Sequence, residues 1–276
     1  MQYNDDLNFW RKFVRDGGMA MNDFELNGRR VLVTGGGDGL GKQMTLALAD
    51  AGASIVICGR RSGPLEETAA VISEAGGQVE TYVADVTLEA DRRRLADLIG
   101  EVDILVNNAG VASRGRWDEV ELEDWRYIMN INVEAPFRLI QLFAPGMIER
   151  GWGRVINIAS IYGLVAGDPS RYPGVGLDIA SYFASKHSLV GLSSFLAVEF
   201  GRSGVTVNTI CPGMFPSPTN EEMLTADVRA ALEAGAPVGR LGSETDLRTA
   251  ILFLASPNSG FVTGQNLVVD GGWTIW

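Results

Sequence analysis

Few side chains of the kind that build metal centres and disulfide frameworks occur in the sequence, whose 276 residues include 1 histidine and 2 cysteines. No histidine, cysteine and carboxylate spacing matches a metal site, so we expect none. Cys58 and Cys211 each lie in an apolar run typical of a buried strand, which predicts reduced thiols and no disulfide. His187 follows Lys186 on a predicted helix, and we expect it to be packed and not catalytic.

Basic residues are also scarce: 23 lysines and arginines stand against 34 acidic residues, and the formal net charge is -11. Phosphate contacts dominate nucleic-acid binding, so we expect neither nucleic acid nor an anionic membrane as a partner. No apolar run is long enough to cross a bilayer, and the N-terminus has no apolar signal core. We therefore expect a soluble, cytoplasmic protein that binds a small molecule.

Apolar residues, by contrast, make up 46% of a chain that is long enough for one large domain. We predict an N-terminal extension over residues 1–27 and a single α/β domain over residues 28–276. The extension contains Phe9, Trp10 and Phe13. It is either the product of an extended start or an arm that contacts another subunit.

Short β-branched runs alternate with helix-forming stretches along the domain. This alternation predicts a doubly wound parallel sheet of about seven strands with helices on both faces. The predicted strands are 30–34, 54–58, 79–84, 103–106, 153–159, 205–211 and 266–270. The predicted helices are 42–51, one from near 88, 122–148, 180–202 and 246–255.

A glycine-rich turn joins the first strand to the first helix, with the spacing Thr34-Gly35-x-x-x-Gly39-x-Gly41. Glycines let the backbone approach a pyrophosphate, and the N–H groups at a helix start attract its charge. We predict a dinucleotide site whose contacts from this turn are Thr34, Gly35, Gly37, Asp38, Gly39 and Leu40.

The choice of cofactor depends on the end of the second strand, which a doubly wound sheet places near the adenine ribose. Arg60 and Arg61 stand there in place of an acidic residue, which favours NADP. Asp38 in the glycine turn favours NAD, because a carboxylate repels a 2′-phosphate. The alternative is that both arginines are merely solvated.

Two further strand ends supply candidate cofactor contacts. Asp85 and Val86 follow the third strand, where a carboxylate and a backbone N–H can meet an adenine edge; Asp85 is equally suited to cap the helix near Leu88. The fourth strand ends in asparagines that can bond neighbouring backbone groups, followed by small residues that keep a crevice open. The candidates there are Asn108, Ala109 and Gly110.

Tyr182 and Lys186 lie four positions apart on a predicted helix and therefore share one face. A nearby ammonium favours the phenolate, so the pair can act as an acid/base. Taken alone, such a pair is more often a surface tyrosine beside a solvated lysine, and the rest of the sequence decides against that. Ser160 ends the fifth strand, where its hydroxyl can donate to a substrate oxygen. Pro136 deprives the Asn132 carbonyl of its helical partner, so that carbonyl can hold a water, or the helix merely kinks there.

Together these motifs resemble the short-chain dehydrogenases/reductases, whose fold is a single-domain Rossmann fold. The resemblance covers residues 28–273 and includes Pro212-Gly213 and Asp270-Gly271-Gly272. It implies that Tyr182 is the acid/base, that Lys186 binds the nicotinamide ribose and lowers the pKa of Tyr182, and that Ser160 orients the carbonyl. It further implies a water relay through the main chain of Asn132, cofactor contacts from Pro212 and Gly213, and a homotetramer.

Two segments bear on the substrate. The spacing from Ser160 to Tyr182 is longer than the family usually shows, and the extra residues include Arg171 and Tyr172. An apolar, proline-rich segment near residues 212–240 is expected to form a lid. The candidate substrate contacts are Ser160, Tyr162, Arg171, Tyr172, Met214 and Phe215.

The lid resembles the gluconate 5-dehydrogenase branch, which implies a secondary alcohol and ketone pair on a sugar acid or polyol. Its sequence is also similar to 3-oxoacyl thioester reductases of the rhamnolipid type. The remote alternative is a nucleotide-binding protein that has the fold without turnover. The presence of Ser160, Tyr182 and Lys186 favours the enzyme.

Overall fold

Runs of β-branched and apolar residues form the strands of a parallel sheet in the computed structural model, which describes residues 23–112, 117–168, 179–217 and 224–275. Within these ranges the strand order is β3-β2-β1-β4-β5-β6-β7. The strands are β1 (Arg30–Thr34), β2 (Ser54–Gly59), β3 (Val79–Val83), β4 (Ile104–Asn107), β5 (Gly153–Ile158), β6 (Val205–Pro212) and β7 (Asn266–Val269). The predicted doubly wound sheet is confirmed, and its order reverses between β1 and β4, where such sheets open a ligand crevice.

Helices connect successive strands, as parallel pairing requires. They are α1 (Gly39–Asp50), α2 (Ser62–Glu74), α3 (Glu89–Ile99), α4 (Leu122–Met129), α5 (Ala135–Glu149), α6 (Ala180–Phe200), α7 (Ala226–Gly235) and α8 (Arg248–Ala255). A π-helical turn over Asn130–Glu134 separates α4 from α5, which the sequence predicts as one helix. Helices α2 and α7 have no counterpart among the predicted elements. Among the described residues, no helix is both long and apolar enough to cross a membrane.

Two apolar cores lie on opposite faces of the sheet because alternate strand residues point to opposite sides. Val31 and Val33 of β1 belong to the core that contains residues of α1, α2 and α8. Leu32, between them, belongs to the core that contains residues of α3, α5 and α6. The sheet is therefore buried on both faces, which leaves its ends as the places for polar chemistry.

At the amino ends of the strands, Trp152 lies between two guanidinium groups. The Arg29 guanidinium carbon is 3.6 Å from the ring centroid, and that of Arg154 is 4.4 Å away. Arg154 is 1% exposed and donates to the carbonyls of Ser256 and Pro257 at 3.2 Å. Burial lowers the pKa of Arg154 to about 10. The Arg154 bonds hold the end of α8 against β5 at the amino ends of the strands, opposite the crevice.

Asp23 and Leu26, which precede the predicted domain, both contact it in the structure. Leu26 is fully buried in the core, and its N–H donates to the Ala51 carbonyl at 2.7 Å. The Asp23 carboxylate accepts a bond from Asn258 at 3.1 Å. Residues 23 and 26 therefore contact the domain, and residues 1–22 of the predicted extension lie outside the described residues.

Candidate active site

The glycine turn lies at the carboxyl end of β1 and leads into α1. Gly35 and Gly39 have φ values of 63° and 53°, in the left-handed region that favours glycine. A Cβ on Gly41 would lie 2.0 Å from the Gly35 carbonyl oxygen, so the helix starts in close contact with the turn. Asp38 is the N-cap residue and makes no side-chain bond to the helix. Leu40 lies in the first turn of α1, whose N–H groups have no side-chain cap.

Side chains from β1 and β4 fix this turn to the sheet. The Thr34 hydroxyl accepts bonds from the N–H groups of Asn108 and Ala109, both at 3.0 Å. The Asn108 amide donates to the carbonyls of Thr34 and Gly35 at 2.9 and 3.1 Å, as predicted for an asparagine at this strand end. Gly37 accepts a bond from Thr68 at 3.0 Å. The turn is therefore held before any ligand binds.

The two arginines after β2 have different partners. The Arg61 guanidinium forms an ion pair with the Asp38 carboxylate. Arg60 is exposed and donates to the Tyr127 hydroxyl at 3.3 Å. Asp38, whose carboxylate disfavours NADP, is thus neutralised by Arg61, which favours NADP. Arg60 remains exposed to solvent beside the turn.

The loop after β3 is shaped by its own side chains. The Asp85 carboxylate accepts bonds from the Thr87 N–H at 2.9 Å and the Thr87 hydroxyl at 2.7 Å. Leu88 is the N-cap residue of α3, so the interpretation of Asp85 as its cap is wrong. The Val86 carbonyl accepts a bond at 2.9 Å from Arg92, a buried residue that the sequence analysis missed. The only sequence signal for Arg92 is its place one turn into a predicted helix.

Ser160, Tyr182 and Lys186 come together at the carboxyl end of β5. The Ser160 hydroxyl accepts a bond from the Tyr162 N–H at 3.1 Å and is hydrogen-bonded to the Tyr182 phenol. The Lys186 ammonium donates to the Ile158 carbonyl at 2.7 Å and lies 5.5 Å from the centroid of the Tyr182 ring. The solvated-surface interpretation of the tyrosine and lysine pair is wrong, because Lys186 is only 5% exposed.

Burial sets the protonation of this group. The pKa of Tyr182 lies above its ordinary value of 10.0, because burial disfavours the phenolate more than the bond from Ser160 favours it. Burial also lowers the pKa of Lys186 to about 8. The net shift of the Tyr182 pKa is therefore upward, whereas the resemblance implies a downward effect of Lys186. At neutral pH the phenol is protonated, which is the form that can give up a proton.

Cys211, predicted only as a buried strand residue, lies beside this group. Its thiol accepts a bond from the Ser160 N–H, and burial raises its pKa, so it is a neutral neighbour of Lys186. His187, by contrast, is exposed, so the expectation that it is packed is wrong. Its Nδ1 atom lies 3.0 Å from the Phe183 carbonyl oxygen. Among the described residues, no cluster of histidine, cysteine and acidic side chains is arranged to hold a metal ion.

The π-helical turn aims Asn132 at the site. The Ala135 N–H bonds the Asn130 carbonyl five residues back, which places the wide turn just before Pro136, where the sequence leaves open a free Asn132 carbonyl or a kink. The Asn132 amide donates to the Val111 carbonyl and the Ser185 hydroxyl, both at 2.9 Å. Ser185 in turn donates to the Tyr182 carbonyl at 2.8 Å. Ser185 was missed, although it lies between Tyr182 and Lys186 in sequence.

Residues that follow β4 and β6 lie at the same end of the sheet as this group. Gly110, after β4, is so near that a Cβ on it would lie 2.9 Å from Asn132 Oδ1 and 3.5 Å from Lys186 Nζ. Pro212 ends β6, and the Gly213 N–H donates to the Val269 carbonyl at 2.9 Å. These residues lie at the carboxyl edge of the sheet, as predicted.

The predicted substrate residues separate into three places. Tyr162 is 7% exposed, its ring lies 4.5 Å from that of Phe183, and Met214 packs against the same cluster. Phe215 instead belongs to the core that contains residues of α1, α2 and α8. Arg171 and Tyr172 lie outside the described residues.

The chain is similar to a family model, to several characterised dehydrogenases and to solved structures. A family model described as enoyl-(acyl carrier protein) reductase matches residues 35–274. The chain is 35% identical over 264 residues to the 2-dehydro-3-deoxy-D-gluconate 5-dehydrogenase of Bacillus subtilis, covering 93% of this chain and 98% of that protein. It is 36% identical over 261 residues to the gluconate 5-dehydrogenase of Gluconobacter oxydans, covering 91% and 97%. A solved gluconate 5-dehydrogenase from Burkholderia cenocepacia, in complex with NADP and tartrate, is similar with a TM-score of 0.83 and 36% identity over 92% of this chain and 98% of that one.

Proposed function

The chain belongs to the short-chain dehydrogenase/reductase family of NAD(P)-dependent oxidoreductases, and from that premise we propose that it interconverts a secondary alcohol and a ketone on a sugar acid. The observation that supports this most directly is the joining of Ser160, Tyr182 and Lys186 at one strand end, in a chain similar to gluconate dehydrogenases.

The residues present fit a dinucleotide. The N-cap of α1 offers no side-chain bond to the helix, and no acidic residue lies in its first turn, so its N–H groups suit a pyrophosphate. A Cβ built on Gly39 would meet nothing within 4 Å, so the turn faces open space. We propose that Arg60 meets a 2′-phosphate, which favours NADP over NAD, and that the loop at Asp85 and Val86 meets the adenine.

The proposed catalytic step is a proton transfer by Tyr182. When bound, the nicotinamide supplies the hydride for reduction and accepts it in oxidation. The Tyr182 phenol gives its proton to the carbonyl oxygen as that oxygen becomes an alkoxide, and takes it back in the reverse direction. The Ser160 hydroxyl donates to the same oxygen, and the Lys186 ammonium stabilises the negative charge. Asn132 and Ser185 hold the start of α6 in place through the Tyr182 carbonyl.

The substrate class rests on the relatives and on the chemistry of the lengthened loop. Both named relatives act on gluconate derivatives by their names. Arg171 can clamp a carboxylate and Tyr172 can bond hydroxyls, which suits a sugar acid. We propose these two residues as substrate contacts, together with Tyr162 and Met214.

A substrate screen tests the proposal. We expect higher kcat/KM for keto-gluconates with NADPH than for simple ketones or 3-oxoacyl thioesters, and Tyr182→Phe controls for background reduction. Arg171→Ala should raise KM for the acidic substrate and leave that for a neutral polyol unchanged. Better turnover of the thioesters would replace the sugar-acid proposal with acyl reduction.

We further propose a homotetramer in the cytoplasm. An apolar groove between α4, α5 and α6, with a volume of about 700 Å³, is lined by side chains that include Trp125, Met129, Val133, Phe137 and Leu192. Such a groove suits burial against the same helices of a second copy. Cys58 and Cys211 are free and buried, which suits a reducing compartment. Light scattering after gel filtration tests the assembly, and a monomeric mass would contradict it.

A further inference from the structure

Helix α7, the central part of the proposed lid, rests directly on the indole ring of Trp273. A Cβ built on Gly235, at the end of α7, would lie 2.1 Å from Cζ3 and 2.5 Å from Cη2 of that ring. Trp273 is itself only 4% exposed. No side chain separates the helix backbone from the ring, so the size of residue 273 fixes how deeply α7 sits.

A second glycine contact supports the segment that follows α7. A Cβ on Gly242 would lie 2.4 Å from Cε1 of Phe215, which belongs to the core that contains residues of α1, α2 and α8. The Gly242 N–H also donates to the Met214 carbonyl at 2.9 Å. Helix α7 and the segment after it therefore contact two aromatic rings, those of Trp273 and Phe215, and Phe215 is anchored in the core.

The turn after β7 holds the Trp273 ring in place. The Asp270 carboxylate accepts bonds at 2.8 Å from the N–H groups of Gly272 and Thr274 and from the Thr274 hydroxyl. Gly271 and Gly272 have φ values of 64° and 86°, which other residues rarely adopt. The Val238 N–H donates to the Gly271 carbonyl at 3.1 Å, tying the chain after α7 to the same turn. These bonds fix the backbone that carries the Trp273 ring.

The depth of α7 matters at the catalytic end of the crevice. Val228 and Leu232 of α7 share one buried cluster with Tyr162 and Trp273, and Tyr182 packs against that cluster. A cavity of about 230 Å³ lies between Leu232, Trp273 and neighbouring side chains of the strand ends. Because Tyr182 packs against the cluster that contains Val228 and Leu232, a change in the position of α7 changes the packing beside the acid/base.

We propose that Trp273 is a positioning residue for substrate selection, which sets the depth of α7 and thereby the size of the substrate that fits beside Tyr182. This inference rests on the proposed function, because substrate selection is measured from the kinetics of ketone reduction. It assigns no contact between Trp273 and the cofactor.

The first test replaces the ring with smaller side chains. Trp273→Phe and Trp273→Leu should raise KM for the best ketone about tenfold, a typical effect of a misfitted apolar pocket, and change KM for the cofactor by less than about twofold. The ratio of kcat/KM for a bulkier ketone to that for a smaller one should fall about fivefold, because α7 sits deeper on the smaller residue and narrows the space beside Tyr182. An unchanged ratio with either variant would overturn the inference.

A double-mutant cycle separates positioning from general damage. Gly235→Ala alone should also raise KM for the ketone, because its Cβ displaces α7. Combined with Trp273→Leu, the added methyl group meets a smaller residue, so KM should fall back toward the wild-type value. Losses that simply add would contradict the inference. Gly201→Ala is the matched control, since its Cβ meets nothing within 4 Å, and it should change neither KM.

The ketone for these assays is whichever one the unmodified protein reduces fastest, so failure of the sugar-acid proposal leaves the test intact. If no ketone is reduced, limited trypsin digestion provides the readout. Cleavage after Arg229, within α7, should be several-fold faster in Trp273→Phe than in the unmodified protein and Gly201→Ala. Equal cleavage rates would overturn the inference without reference to activity. Thermal melting identifies any variant that fails to fold, and Trp273→Phe, the smaller change, then provides the result.

Discussion

Removing the guanidinium of Arg60 is expected to shift cofactor preference from NADP toward NAD. Arg60 follows β2, where a doubly wound sheet places the adenine ribose. Its one described side-chain bond is the 3.3 Å contact to the Tyr127 hydroxyl, so most of its donors face solvent or ligand. A charge-assisted bond to phosphate contributes about 1.5–3 kcal/mol. Because Arg60 is exposed, screening favours the low end, so Arg60→Ala should raise KM for NADP roughly tenfold.

Arg61 is expected to act differently, because its guanidinium is paired with Asp38. Its side chain is 71% exposed, and exposed pairs contribute about 0.2–1 kcal/mol, so the loss of Arg61 should cost at most about fivefold in KM for NADP. That loss arises because the Asp38 carboxylate is then left uncompensated near the phosphate. Asp38→Asn should therefore restore NADP binding in the Arg61→Ala background.

Steady-state kinetics with NADPH and NADH, at two ionic strengths, measures each effect. The KM for NADH should stay within about twofold in every variant, because NAD lacks the 2′-phosphate. Higher salt should shrink the differences, since exposed charges are screened. The reasoning is refuted if Arg60→Ala leaves the NADPH to NADH ratio unchanged. If Asp38→Asn fails to restore Arg61→Ala, then Arg61 contacts the phosphate directly and its pairing with Asp38 is incidental.

Three further predictions concern catalysis, pH and stability. Tyr182→Phe should lower kcat about a hundredfold or more with cofactor affinity unchanged, as measured by turnover and by fluorescence titration; retained turnover would remove Tyr182 from the mechanism. Ketone reduction should be constant between pH 6 and 7 and decline as pH rises past about 8, where Lys186 loses its proton; a rate that increases above pH 8 would contradict this. Arg154→Leu should lower the free energy of unfolding by about 1–3 kcal/mol, because the carbonyls of Ser256 and Pro257 lose a buried donor; an unchanged denaturation midpoint would show that solvent replaces it.

The strands were predictable because their apolar runs are short, β-branched and bounded by glycine or polar residues. Helix α2 was not, since Pro64 in its first turn is typical of a break and yet is tolerated at that position. Helix α7 follows a proline-rich stretch that indicates a loop. Pro136 left two outcomes open, a free Asn132 carbonyl or a kinked helix, and only the structure shows the π-helical turn that separates α4 from α5.

At the site, the identities of Ser160, Tyr182 and Lys186 were predictable from spacing, whereas their protonation was not. Proximity on a helix suggests that a lysine lowers the pKa of a tyrosine, but in this structure burial is the largest influence on Tyr182 and raises its pKa, and burial of Lys186 lowers the pKa of the lysine. The pairing of Asp38 with Arg61 joins residues on different elements, and no local pattern reports it. The roles assigned to these residues remain predictions for the experiments above.

The stack of Arg29, Trp152 and Arg154 lies at the edge of the sheet farthest from Tyr182. Substitutions meant to make the enzyme more heat-resistant can therefore be placed at the amino ends of the strands, where side chains hold α8 and Asp23, without changing the crevice. Substitutions that widen the range of substrates would instead change residues at the carboxyl ends of the strands, and any loss of stability would arise there. Heat resistance and substrate range therefore depend on residues at opposite ends of the same strands. Because effects of distant sites usually add, substitutions that improve one property can be combined with substitutions that improve the other.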